Sequence, residues 1–266
     1  GGMGVLNGSK SICYIIRRSS AITTAVSLKN NYFEVPGFDA GSPTADIVNN
    51  IKQLTYEAII RVNNFKTDEF PKKEIATIMG IEQYCLFRIG DAGFPLQQLQ
   101  FSSPGENKFP NADTGKLLQP SEWYHVAVVY DTEKKTAVIY VDGREQSRIE
   151  DYGNGEPVNL GKQTRGKDFM FKIGHSYGDP DYMERQLDGE ICEVRVWNVA
   201  RSQQEIFDNM YNIEDPANTP GLQAYWKFNE GEGDIAKDYT GHGNDAKAYV
   251  KATWPAGIEV TQKNKE

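Results

Sequence analysis

The chain has 266 residues, of which 39 % are hydrophobic and 25 % charged, as is usual for soluble globular proteins. Its net charge is −8 and no basic run exceeds two residues, which makes nucleic acid and anionic membranes poor partners because phosphate binding needs clustered Lys and Arg. No stretch of about 18 apolar residues occurs, so no membrane-spanning helix is expected. The 25 glycines and 12 prolines favour short strands and turns over long helices.

Most of the chain alternates apolar and polar residues with period two. In Thr55–Val62, residues Tyr56, Ala58, Ile60 and Val62 fall on one face, which predicts a half-buried strand. The runs "YHVAVVYD" and "TAVIYVDG" are separated by the polar "TEKK", which is hairpin spacing, and the second run ends in Asp-Gly, a strong turn signal. These patterns predict antiparallel pairing.

Further short runs of the same kind continue to the C-terminus. Strands are predicted at Glu74–Met79, Tyr84–Ile89, Gln97–Phe101, Phe169–Ile173, Gly189–Trp197, Leu222–Phe228 and Asp245–Tyr249. One helix is predicted near Ser202–Asn209, where Ser202 and Glu205 form a capping-box pattern and Ile206 and Met210 share a face. We therefore expect an all-β protein, a two-sheet antiparallel sandwich of the jelly-roll type with one short helix.

No boundary divides the chain into two domains. We expect one sandwich over residues 21–260, an N-terminal extension or linker strand over 1–20 and a tail over 261–266. The three cysteines, Cys13, Cys85 and Cys192, show no CxxC spacing, so they indicate neither a zinc site nor a complete set of disulfides. Cys85 and Cys192 lie in apolar runs and are expected to be buried free thiols.

Four motifs, taken in order, resemble the laminin-G-like, concanavalin A-like jelly rolls of secreted bacterial proteins. They are "AVSLKNNYFEVPGF", the hairpin "EWYHVAVVYD" with "AVIYVDGRE", "LDGEICEVRVWNVARSQQEI", and "GLQAYWKFNEGEGDIAKDYTGHGNDAKA". The resemblance covers roughly residues 21–254. Two features depart from it: the Tyr225 motif follows the helix instead of opening the domain, and Cys192 stands where an acidic residue is more usual.

The resemblance implies a fold and a class of function. It implies a non-catalytic carbohydrate-binding or adhesion module of a bacterial glycan-utilisation system, with a glycan or polysaccharide as partner. It also implies an extracellular, cell-surface or periplasmic location, with the targeting signal and an upstream domain outside this chain. The fold alone does not decide function, because lectins, adhesins and glycosidases share it.

The stretch "GHSYGDPDYMERQ" is the candidate ligand-binding loop. Sugar binding needs exposed aromatic rings and polar side chains, and this stretch supplies both outside any apolar alternation. The candidate ligand residues are Tyr177, Asp179, Asp181, Tyr182 and Arg185. The alternative is that these aromatic rings pack over an edge of the sandwich.

The loop "DYTGHGNDA" is a candidate site for a structural calcium ion. Its oxygen-bearing side chains are Asp238, Thr240, Asn244 and Asp245, and its glycines permit a tight turn. Calcium takes six to eight oxygen ligands, often carboxylates and carbonyls of a turn. The alternative is an ordinary turn in which Asp238 accepts hydrogen bonds from backbone amides.

A glycoside hydrolase of the concanavalin A-like clan is the alternative function. Such an enzyme needs two carboxyl groups facing each other across the scissile bond. Asp188 and Glu190 in "LDGEICEV" share a face, but Gly189 between them suggests a turn or bulge. If the strand is regular, Glu193 faces away from Glu190, and Ile191 faces away from Val194 and Val196. The strand therefore reads as structural, and no catalytic residue is assigned.

Overall fold

The computed structural model describes residues 21–66, 75–91, 93–103, 117–162, 169–176 and 185–263. Within these residues fourteen strands form two antiparallel sheets of seven strands each, and one α-helix is present. The predicted two-sheet sandwich is confirmed. None of the helices in the described residues combines the length and the apolar character that crossing a membrane requires.

The first sheet is built on the longest strands. Its order is β1, β11, β3, β7, β8 and β9, and β12 pairs with β11 beside β1. The strands are β1 (Val26–Ser27), β3 (Gln53–Asn64), β7 (Trp123–Asp131), β8 (Thr136–Val141), β9 (Arg144–Glu150), β11 (Asp188–Trp197) and β12 (Leu222–Trp226). The predicted hairpin is present as β7 and β8, with Val126 opposite Val141.

The second sheet is built from shorter strands in the order β13, β14, β2, β10, β4, β5 and β6. The strands are β2 (Phe33–Glu34), β4 (Ala76–Ile81), β5 (Cys85–Ile89), β6 (Leu99–Ser102), β10 (Lys172–Ile173), β13 (Ile235–Ala236) and β14 (Ala246–Ala248). β14 pairs with β2, so the two ends of the described chain lie side by side. This pairing explains how the Tyr225 motif can stand late in the chain and still close the sheet.

The core lies between the two sheets. Alternate residues of β3, such as Tyr56 and Ile60, are fully buried there, as are Phe101 and Trp226.

The predicted thiols Cys85 and Cys192 are buried and free, and burial raises the pKa of Cys85 to about 12. Cys13 lies outside the described residues.

The α-helix of the described residues, α1 (Gln203–Asp208), packs on the outer face of the first sheet. Its capping box is formed: Ser202 Oγ accepts from the N–H of Glu205, and the Glu205 carboxylate accepts from the N–H of Ser202. Ile206 is buried against β7 and β8. Among the described residues, 3₁₀ turns are formed by Pro36–Phe38, Ala45–Val48 and Pro216–Asn218.

Strand β11 is irregular at two points, and this corrects its predicted phase. Its register with β3 shifts between Asp188 and Gly189, as the glycine suggests, and again between Cys192 and Arg195. Glu193 adopts a left-handed φ of 51°, the mark of a bulge. The bulge inserts one extra residue, so Ile191, Val194 and Val196 all face the core, and the prediction that Ile191 faces away from the other two is wrong.

Candidate functional site

Arg185 is the predicted ligand residue that the structure describes. Tyr177, Asp179, Asp181 and Tyr182 lie outside the described residues. The Arg185 guanidinium pairs with Glu82, with 3.1 Å between Nη1 and Oε2, and its side chain is 25 % exposed. The carboxylate of Glu82 is almost fully buried in the turn between β4 and β5, so it holds a cation that still reaches solvent.

The Glu82 carboxylate also accepts a hydrogen bond from Ser176. The distance from Ser176 Oγ to Glu82 Oε2 is 2.8 Å, and Thr77 Oγ1 donates to Ser176 Oγ at 2.9 Å. Ser176 follows β10 and Thr77 lies on β4. Two neighbouring strands thus fix the carboxylate that positions Arg185.

A second guanidinium lies on the same face of the second sheet. Arg88 stands opposite Thr77 across β4 and β5, and opposite Gln100 across β5 and β6. It donates to Gln100 Oε1 at 3.2 and 3.1 Å and to Asp91 at 3.0 Å. Burial lowers the pKa of Arg88, while Asp91 and then Glu82 raise it. The Nε2 atom of Gln100 is buried and has no hydrogen-bond partner in the described chain. We call this set the Glu82–Arg185 cluster: Thr77, Glu82, Arg88, Gln100, Ser176 and Arg185.

The four residues of the candidate calcium loop do come together. Asp238 Oδ1 accepts from the N–H and hydroxyl of Thr240 and from the N–H of Tyr225, at 2.8 to 3.2 Å. Asp238 Oδ2 accepts from the N–H of Asn244 at 3.1 Å, and Asp245 accepts from the N–H of Asp238. The Asp238 oxygens are therefore directed at hydrogen-bond donors, which is the alternative turn that the sequence allows.

This arrangement does not fit a calcium ion held by Asp238. Asp238 Oδ1 already accepts three hydrogen bonds, so a cation bound there would have to displace an N–H or O–H group, and Oδ2 already accepts from the N–H of Asn244. Asn244 is fully buried with its amide against Gly37, where a Cβ would lie 1.9 Å from Asn244 Oδ1, so no open cage surrounds it. In the described part of the chain, no three His, Cys, Asp or Glu side chains are grouped to hold a metal. Calcium stays a prediction.

The candidate catalytic acids are each committed to polar partners. Glu190 forms an ion pair with Arg61 at 2.6 Å and accepts from Asn63 at 2.9 Å, while Asp188 accepts from Asn64 at 2.9 Å. The shift at Gly189 places the three residues 188–190 opposite four residues of β3. A general acid must be held protonated, which an ion pair with arginine opposes.

The outer face of the first sheet carries buried charges that sequence reasoning missed. Arg195 donates to Glu193 Oε1 at 2.6 Å and lies 3.4 Å from Glu57 Oε1. Glu57 also binds His125 Nε2 at 3.0 Å and accepts from Trp197 Nε1 at 2.5 Å, and Glu193 accepts from the Tyr225 hydroxyl. We call this set the Glu57–Arg195 network: Glu57, His125, Glu193, Arg195, Trp197 and Tyr225.

The Glu57–Arg195 network is sealed by the segment around α1. The Arg195 guanidinium donates to the carbonyls of Asn209 and Met210, which follow the helix. Burial raises the pKa of Glu57, but Arg195 and His125 lower it further, to about 2. Burial lowers the pKa of Arg195, while Glu57 and Glu193 raise it above its usual range. Both groups are therefore charged at neutral pH.

Two antiparallel sheets that enclose one core form a β-sandwich, and comparison with known proteins identifies its family. The family model of the concanavalin A-like lectin/glucanases superfamily matches residues 36–207. The chain therefore belongs to this superfamily. No curated protein matches the chain significantly.

Among solved structures, one from Bacteroides ovatus is similar over most of the chain. It is a protein provisionally assigned as carbohydrate binding, with 30 % identity, a TM-score of 0.71 and coverage of 91 % of this chain. This chain spans 62 % of that protein's length.

More distant structural likenesses include a heptameric SAP-like pentraxin from Limulus polyphemus (14 % identity, TM-score 0.49, 70 % of this chain and 81 % of that one). Another is the sialidase carbohydrate-binding module CBM40 of Ruminococcus gnavus, solved with α2,3 sialyllactose (13 % identity, TM-score 0.47, 71 % of this chain and 95 % of that one). At these values they carry no argument about function.

Proposed function

We propose that this chain is a non-catalytic carbohydrate-binding module that acts outside the cytoplasm in a bacterial glycan-utilisation system. The observation that carries the proposal is the 30 % identity, over 91 % of the chain, to the Bacteroides ovatus protein assigned as carbohydrate binding. Membership of a superfamily of lectins and glucanases supports the same class of ligand. An extracellular, cell-surface or periplasmic location is part of the proposal, because polymeric glycans are met there.

The Glu82–Arg185 cluster supplies the chemistry of the proposed site. Sugars offer hydroxyl groups that both donate and accept, and Arg185 is a rigid, multidentate donor held by a buried carboxylate. Its quarter-exposed side chain can contact a ligand without losing that partner. Tyr177 and Tyr182, close to Arg185 in sequence, are the proposed stacking residues.

The enzyme alternative finds less support in the described chain. Asp188 accepts a hydrogen bond from Asn64, and Glu190 forms an ion pair with Arg61. Glu57 and Glu193 both bond Arg195, and Glu57 is fully buried beneath the helix segment, out of reach of a glycan. Catalysis requires one protonated and one ionised carboxyl across a bound glycosidic link, and neither pair meets that requirement.

The test is a glycan array probed with the purified chain, followed by calorimetry on the glycans that bind. We expect weak binding that becomes stronger when the chain is presented multivalently. Arg185→Ala should weaken it by about tenfold, because a hydrogen bond to a charged group contributes roughly 1.5–3 kcal/mol. Tyr177→Ala and Tyr182→Ala should weaken it as well. Arg148→Ala is the matched control, since Arg148 is exposed and its ion pair in the described chain is with Glu145 of the same strand.

Two outcomes would overturn the proposal. Binding to no glycan on the array would remove its basis. Release of reducing sugar by the purified chain, abolished by Glu190→Gln, would establish the glycoside hydrolase instead.

The calcium prediction is tested in the same assay. The array and thermal melts are run in calcium and in chelator, with Asp238→Ala alongside. A calcium ion at this loop should make the melting temperature sensitive to chelator in the unmodified chain and insensitive in the variant. The hydrogen-bonded turn predicts that Asp238→Ala destabilises equally under both conditions, because four donors lose their acceptor.

A further inference from the structure

A cleft of about 670 Å³ opens beside the β4–β5 turn, on the side of Tyr84. This volume lies within the roughly 300–1,000 Å³ typical of small-ligand sites. Its walls are the β4–β5 turn, Asn50 and the segment after β9; Asn50 precedes Ile51, which forms an isolated bridge with Val158. The lining residues used below are Asn50, Tyr84, Asn154, Glu156, Asn159 and Lys162.

The framework of this cleft is fixed by hydrogen bonds. Tyr84 Oη accepts from the N–H of Asn159 at 2.8 Å, and Asn159 Oδ1 accepts from the N–H of Asn50 at 3.0 Å. Asn159 therefore ties the wall that carries Asn50 to the half-buried ring of Tyr84. A ring held in this way presents a fixed surface with little conformational entropy left to lose on binding.

The remaining polar groups of the cleft are available to bind a ligand. The side chains of Asn50, Glu156 and Lys162 are exposed and make no hydrogen bond or ion pair with the described chain. Asn154 uses its Oδ1 to accept from Glu156 N–H, which leaves its amide N–H₂ free. An aromatic ring bordered by amides, with one acid and one base, suits a neutral sugar: the ring stacks on a pyranose and the amides bond hydroxyls.

This cleft adjoins the Glu82–Arg185 cluster. Glu82 and Tyr84 are separated by one residue, so their Cα atoms are at most about 7 Å apart. A ligand with several linked units could contact Arg185 with one unit and Tyr84 with another. A second cavity, of about 370 Å³, lies beside α1 but offers no accessible tryptophan ring for a sugar to stack on. Its tryptophan, Trp197, is fully buried, and the Arg201 guanidinium lies 3.9 Å from the ring centre.

We propose that the Tyr84 cleft is a second sugar subsite, and that the ligand of this chain is a neutral oligosaccharide spanning from Arg185 to Tyr84. This inference rests on the proposed function and adds to it the length and charge of the ligand. Affinity should rise as the oligosaccharide grows from one subsite to two, and residues of the cleft should matter only for the longer chains.

The experiment measures binding by calorimetry to ladders of laminari-, xylo- and manno-oligosaccharides from disaccharide to octasaccharide. The chief variant is Asn50→Gly, because Asn50 has a left-handed φ of 54° and glycine keeps that backbone while removing the amide. Asn30→Gly is the matched control, an exposed asparagine with the same φ of 54° outside the cleft. Tyr84→Ala removes the ring, and Lys162→Ala tests the base.

We expect Asn50→Gly and Lys162→Ala each to weaken binding of the longer oligosaccharides by about three- to tenfold, and Tyr84→Ala by at least as much. Disaccharide binding and the Asn30→Gly variant should be unchanged, whereas Arg185→Ala should weaken every length. Equal affinity for all lengths, with no effect of Asn50→Gly, would overturn the second subsite and leave the proposed function standing. Stronger binding of acidic than of neutral oligosaccharides would overturn the assignment of a neutral ligand. Binding to glycans on the array without binding to any neutral ladder would overturn it as well, and would leave the proposed function standing.

Discussion

The two sheets carry buried charges on their outer faces, yet the two sets are built differently. In the Glu57–Arg195 network the paired side chains of Glu57 and Arg195 are fully buried, and the segment around α1 covers them. In the Glu82–Arg185 cluster the buried carboxylate holds a guanidinium that is one quarter exposed. The first arrangement satisfies charges internally, whereas the second directs a cation outward. Of the two, the outward one has the form of a binding site.

The two sets also differ in the effect on stability of removing the carboxylate of the ion pair. Truncating Glu57 would leave the Arg195 charge buried without its counter-ion, and a buried unpaired charge is strongly destabilising. Truncating Glu82 would remove an ion-pair partner from Arg185, whose side chain is already one quarter exposed and can be solvated. Stability measurements can therefore separate a structural network from a binding site.

The largest effect is expected for Glu57→Gln, which keeps the shape of the side chain but removes its charge. We expect a loss of about 3–5 kcal/mol in the free energy of unfolding, measured by urea denaturation. Glycan binding by the fraction that stays folded should be unchanged. Glu145→Gln is the control, because its ion pair with Arg148 is exposed and should contribute less than about 1 kcal/mol. A Glu57→Gln loss as small as the control's would mean that the network is not structural.

The second effect is a loss of stability in acid. The pKa of Glu57 falls from 4.5 to about 2 on folding, so the stability that its charge contributes is complete above pH 4.5 and is lost as the pH falls through about 2. A shift of this size corresponds to the order of 3 kcal/mol. Urea midpoints measured from pH 6 to pH 2 should show this loss, and the Glu57→Gln variant should show less of it. A pH dependence identical in the two proteins would assign the acid sensitivity to other carboxylates.

The sequence predicts the fold of this chain well because the signals of the fold are local. The hairpin of β7 and β8 follows from two apolar alternations and an Asp-Gly turn, and the α1 cap follows from Ser202 and Glu205. The exposed edge strand β9 was not predicted, because its polar residues show no apolar alternation.

The candidate site was harder to predict, since its contacts are distant in sequence. Glu82 and Arg185 are 103 residues apart, and Glu57 and Arg195 are 138 apart. The one sequence signal was Glu57 itself, a charged residue within the apolar run of β3, because a buried charge needs a partner. The bulge at Glu193 has no signal in the sequence, because a glutamate is not a residue type that indicates a left-handed φ. This bulge changes which residues of β11 face the core.

The smallest effect on stability, and the sharpest test of the comparison, is expected for Glu82→Gln. Glutamine can still accept from Ser176, so the turn between β4 and β5 should keep its shape. Arg185 would lose its ion-pair partner but can be solvated, and we expect a loss of only about 1 kcal/mol in the free energy of unfolding. Glycan affinity should nevertheless fall several-fold, because the guanidinium is no longer held in one position. The measurement is urea denaturation paired with calorimetry on the best glycan of the array, with Glu145→Gln again as control. If Glu82→Gln destabilises the chain as much as Glu57→Gln and leaves glycan binding intact, the two faces have the same structural role and the site must be sought elsewhere on the sandwich.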